Sequence, residues 1–117
     1  MREVLLKEMP VTMPRRIIRH NVSVREGLRV ELPQFCHVIG VEINDRDHYT
    51  MDVWLEVPAG VDDGGLMDVI FTVYGTGHVV LSANSSKMLV YRHLGSARDF
   101  HNGFAWHLYA AVVDERA

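Results

Sequence analysis

One cysteine, Cys36, is all the thiol chemistry this chain carries, which excludes an intrachain disulfide. A small domain without such a staple points to a reducing compartment rather than a secreted scaffold. Long apolar runs are missing as well. No stretch approaches the roughly 20 residues that span a bilayer as a helix, and the segment Met1–Pro10 lacks the apolar run of a signal peptide. Basic charge is also scarce. A formal net charge of −3 sets up no field that would gather phosphates. The one basic cluster, Arg15, Arg16 and Arg19, is too short to be a nucleic-acid stripe interleaved with aromatics. The absences together argue against secreted, membrane-spanning and nucleic-acid-binding proteins.

Catalytic and metal signatures are equally thin. Seven histidines are present, yet none are spaced H-x-H or H-E-x-x-H, the arrangements that place two imidazoles on one face. Asp62, Asp63 and Asp68 flank a glycine-rich loop without the spacing of a calcium-binding loop. Ser82, Ser85 and Ser86 have no nucleophile-elbow context. Cys36 lies between Phe35 and an apolar β-run and reads as a buried, inert thiol. No metal, cofactor or catalytic residue is expected.

What the chain does have is alternation. With 117 residues, 48% hydrophobic and 23% charged, it has the length and chemistry of one folded domain. From Ile17 onward the apolar residues recur every second position, the period of a half-buried strand. Ile18, Val22 and Val24 share a face, with His20 between them. The pattern recurs at Leu28, Val30 and Leu32, at His37, Ile39, Val41 and Ile43, and at Met51, Val53, Leu55 and Val57. Further runs are Val69, Phe71 and Val73; Val79 and Leu81; Leu89 and Tyr91; and Phe104, Trp106, Leu108, Ala110 and Val112. Turn residues separate the runs at 44–47, 58–65, 75–77, 83–86 and 95–103. The expectation is an all-β fold, a compact antiparallel sandwich or small barrel of about eight strands, with residues 17–117 as the domain.

Residues 1–16 are set apart by Pro10 and Pro14, which interrupt any regular element. They form an expected extended arm whose Leu5, Leu6, Met9, Val11 and Met13 would contact a second subunit or cover an edge of their own domain. Two places are candidates for binding. Tyr74-Gly75-Thr76-Gly77-His78 concentrates glycine before a β-run, not before a helix N-terminus, so a tight turn with His78 packed locally is expected before a phosphate cradle. On the last run, Trp106 should face the core and leave His107 half-exposed with Tyr109. Glu42, Asp52 and Glu56 are expected on outward faces.

Three strings in order, Phe71 to His78, Tyr91-Arg92-His93-Leu94-Gly95-Ser96, and Phe104-Ala105-Trp106-His107-Leu108-Tyr109, resemble a family of small uncharacterised bacteriophage and prophage proteins. That family shows a Y-G-T-G-H turn, a later Y-I-G-T and a closing W-H-V-F strand. Leu94 and Ser96 depart from its Ile and Thr. The resemblance spans roughly 17–113 and implies phage origin and a compact β domain, with no reaction assigned. The expected function is non-enzymatic binding of a host protein or small molecule, as a homo-oligomer in the host cytoplasm. A virion component such as a capsid decoration protein, and a small histidine-dependent hydrolase or metalloenzyme using His78 and His107, are the alternatives.

Overall fold

The computed structural model of the chain describes residues 14–33, 35–59, 66–78, 88–100 and 103–113. Seven strands are formed among them: β1 (Arg15–Ser23), β2 (Leu28–Pro33), β3 (His37–Ile43), β4 (Thr50–Pro58), β5 (Leu66–Gly75), β6 (Met88–Arg98) and β7 (Ala105–Val113). No helix occurs among the described residues. The strand expected at Val79 and Leu81 and the contacts expected of Leu5, Leu6, Met9, Val11 and Met13 lie outside them.

Two antiparallel sheets share the strands. One runs β1-β4-β3, the other β2-β5-β7-β6, so the fold is a pair of packed sheets rather than a closed barrel. The inward residues of β4 (Met51, Val53, Leu55, Val57) meet those of β5 (Met67, Val69, Phe71, Val73), and Leu108, Ala110 and Val112 of β7 complete the layer. Removing apolar side chains of this size from water stabilises by about 1.5–3 kcal/mol each. Cys36 is wholly buried in the same core.

The chain crosses between the sheets at Ser23–Gly27. Ser23 Oγ accepts the N–H groups of Arg25 and Glu26, and Gly27 N–H donates to the Ser23 carbonyl. Gly27 has φ +71°, and a Cβ there would lie 2.5 Å from the Phe71 carbonyl oxygen, so only glycine fits.

Alternation misplaces residues where a strand bulges. β3 shifts register between Val38 and Gly40, so Val41 faces Val53 and Ile43 faces Met51. Ile39 is the extra residue and is 45% exposed, contrary to its expected place on the face of Val41 and Ile43. Residues 95–98, expected to be loop, continue β6 through a second bulge between His93 and Gly95. Space is tight at Gly95, where a Cβ would lie 3.0 Å from Val41 Cγ2 and that side chain would have to give. Phe104 precedes β7 and is exposed rather than joining the face of Trp106. Asp52 is buried instead of solvated. Asn21 Nδ2 donates to it at 2.9 Å and Asn44 Nδ2 at 3.0 Å, while Asn44 Oδ1 accepts the N–H groups of Arg46 and Asp47 to hold the β3–β4 turn.

Candidate binding face

The outer surface of the four-stranded sheet carries a continuous row of polar side chains. Its position follows from register. Tyr74 on β5 and Ser96 on β6 both pair with His107 on β7, one from each side, and His93 pairs with Tyr109. Thr76 follows the last residue of β5, and its N–H donates to the Ala105 carbonyl. The hydroxyl of Thr76 lies 2.9 Å from His107 Nε2, His107 Nδ1 lies 2.7 Å from Ser96 Oγ, and Ser96 Oγ lies 3.0 Å from His93 Nε2. Four side chains from three strand segments form one hydrogen-bonded chain.

A neutral imidazole donates through one nitrogen and accepts through the other. The row therefore has two self-consistent directions, one with Ser96 donating to His93 and one with Ser96 donating to His107. Tyr74 and Tyr109 stand beside it edge to face, ring centroids 5.5 Å apart, and His93 meets Tyr109 in the same manner at 5.3 Å.

Of the five residues singled out from sequence, the structure brings together Tyr74, Thr76 and His107 but not His78 or Trp106. Gly75 to His78 is a tight turn closed by His78 N–H to the Gly75 carbonyl, with Gly77 at φ +90°. Gly75 N–H donates to His78 Nδ1 at 3.0 Å, which commits that nitrogen as an acceptor. Trp106 lies on the inner side of β7, against the core, with the His78 ring 6.4 Å away. Its Nε1 is buried and has no hydrogen-bond partner among the described residues.

The binding candidates read from sequence omitted Ser96, His93 and Tyr109, although alternation places Tyr109 on the face of His107. His93 and Ser96 are three apart, an odd spacing that puts residues on opposite faces of a regular strand. Only the bulge at Leu94 returns both to one face. Gly95 inside a strand pattern was the available signal, because an isolated strand glycine marks a bulge.

A second polar feature lies at the end of the sandwich. A cavity of about 510 Å³ opens between the β3–β4 turn and the end of β6, lined by Glu42, Asn44, His48, Arg98, Asp99 and Phe100. His48 Nδ1 lies 3.1 Å from Asp99 Oδ2, and Asp99 is 2% exposed, so this pair ties a turn of one sheet to a turn of the other. No group of three or more His, Cys, Asp or Glu placed to hold a metal ion occurs among the described residues.

Two groups are shifted by burial. The His20 imidazole is pushed below its ordinary range and the Cys36 thiol is pushed up to about 12, in both cases because the charged form loses water.

No curated protein and no solved structure matches the chain. The sequence profile of a domain of unknown function, DUF7352, matches residues 13–117, and the chain belongs to that family.

Proposed function

We propose that this chain is a phage-encoded, non-enzymatic binding protein that engages its partner through the outer face of the β2-β5-β7-β6 sheet. The observation that carries the reading is the hydrogen-bonded row Thr76–His107–Ser96–His93 with Tyr74 and Tyr109 beside it. Ser96, His93 and Thr76 are exposed, so these side chains are presented to solvent on an open face. Aromatic rings with polar tips on such a surface suit recognition, since one group supplies apolar contact and a hydrogen bond together. The phage setting rests on the Tyr74–His78, Tyr91–Ser96 and Trp106–His107 strings, and action in the host cytoplasm is proposed with it, a virion role being the alternative.

Assembly into a homo-oligomer is part of the proposal, resting on the apolar arm residues Leu5, Leu6, Met9, Val11 and Met13. Light scattering of the full chain is expected to give more than one protomer mass, and a monomer at high concentration ends that part. The partner is tested by passing a host lysate over immobilised protein and over a His107→Ala, Tyr109→Ala variant that keeps its melting temperature. A component retained by the first and lost by the second is expected. Equal retention by both would refute binding through this face. A capsid role would instead show as the chain co-purifying with intact particles.

The hydrolase reading has one observation in its favour, Ser96 Oγ lying between two imidazole nitrogens. Acyl transfer draws most of its rate from donors preorganised around the oxyanion in a water-excluded site, and the exposed row does not supply that enclosure. Hydrolysis of p-nitrophenyl acetate is expected to be no faster with this protein than with the Ser96→Ala variant.

A further inference from the structure

We infer that the ligand of this face is a neutral carbohydrate chain, an inference that rests on the binding reading above. The argument begins with charge. The row and its flanking rings comprise Thr76, His107, Ser96, His93, Tyr74 and Tyr109, with no Asp, Glu, Lys or Arg among them. Farther along the sheet, the Arg29 guanidinium and the Asp68 carboxylate are paired with each other, and Arg98, two residues past Ser96 on β6, is an exposed cation at the border of the row. A polyanion such as a nucleic acid binds by phosphate neutralisation, which these six residues do not provide. A peptide adding as a strand would bond the main chain along the β6 edge, whereas this row presents side chains across the face of β5, β7 and β6.

The hydrogen-bonding groups narrow the class further. Every polar group in the row is a hydroxyl or an imidazole, and each of these both donates and accepts. Because the row runs in either direction, its ends present donors or acceptors according to what they meet. Adjacent sugar hydroxyls pose that demand, each being donor and acceptor at once. Spare capacity exists. Among the described residues Ser96 Oγ has two row bonds, and Thr76 Oγ1 and His93 have one each, which leaves hydroxyl lone pairs and His93 Nδ1 for a ligand.

The rings supply the remaining element. The C–H faces of a pyranose are apolar, and Tyr74 and Tyr109 offer aromatic surface beside the hydroxyls. From Thr72 to Thr76 along β5, at about 3.3 Å per residue, and across the two strand spacings to β6, at about 4.8 Å each, the patch measures roughly 13 by 10 Å. That is wide enough for more than one sugar ring, which suits a polymer better than a free monosaccharide.

Affinity electrophoresis tests this with dextran, mannan and galactan as neutral polymers and dextran sulfate as the charged control, which Arg98 at the end of β6 makes necessary. The full chain is expected to be retarded by at least one neutral polymer. Ser96→Ala and Tyr74→Ser, each checked for an unchanged fold by circular dichroism, are expected to weaken that retardation at least tenfold. Retardation by dextran sulfate alone, by no polymer, or equally in wild type and both variants would overturn the inference. If none of the polymers binds while the lysate experiment still retains a component dependent on His107 and Tyr109, the binding face stands and its carbohydrate ligand falls. If both fail, the face itself is wrong.

Discussion

Ser96 and His107 sit directly opposite each other on β6 and β7, with Ser96 Oγ 2.7 Å from His107 Nδ1, because a one-residue bulge separates His93 from Gly95. Continued without that bulge, the register would carry Ser96 across from Trp106, on the core side of the sheet. One extra residue in an edge strand thus converts an odd spacing into a shared face. Bulges re-aim side chains in this way at sheet edges.

Because the row lies at the surface, its hydrogen bonds should matter little to stability. Ser96→Ala is expected to cost about 0.5–1.5 kcal/mol in urea denaturation, the usual net worth of such bonds. A loss above about 3 kcal/mol would make the row a structural device and weaken the case for binding.

Two glycines separate backbone strain from steric conflict. Gly77 has φ +90° with nothing within 4 Å of a Cβ, so Gly77→Val should cost about 1–3 kcal/mol from conformation alone. Gly27 combines φ +71° with a Cβ position 2.5 Å from a carbonyl oxygen. Gly27→Ala should therefore destabilise more than Gly77→Val, although it adds a smaller side chain. Melting temperatures in the reverse order would contradict this assignment.

His20 makes stability depend on pH in a definite direction. Its folded pKa is lowered by burial from the ordinary 6.5, so on acidification the unfolded chain takes up the proton first. Stability from this residue is unaffected above pH 6.5 and declines as pH falls below it. His20→Gln should flatten the urea midpoint between pH 7 and 5 relative to wild type. An unchanged slope would show that His20 is not the group responsible.

Cys36 is expected to be silent in the native state. Its sulfur is buried and its pKa is pushed up to about 12, which leaves almost no thiolate at pH 8. Ellman's reagent should react at a rate set by unfolding and go to completion in denaturant. Rapid stoichiometric reaction with folded protein would be inconsistent with this burial.

By itself the sequence determined the class of fold and most of its core. Met51, Val53, Leu55 and Val57, like Val69, Phe71 and Val73, alternate without interruption, and all are buried. The positive φ of Gly77 was legible for a similar reason, since two glycines in three residues admit few other backbone roles. Such properties are local, set by a two-residue period or a single turn. Everything that built the candidate face was not local. Thr76, Ser96 and His107 are contributed by three segments, and their meeting depends on which strands pair and in what register. His78 lies two residues from Thr76, yet it turns to cap Gly75 rather than join the row. Asp52 read as a solvated carboxylate until Asn21 and Asn44 closed over it from neighbouring segments. Alternation assigns a face only relative to its own strand. A bulge, a turn or a partner from a distant segment resets that reference, and those are decided when the two sheets pair and pack.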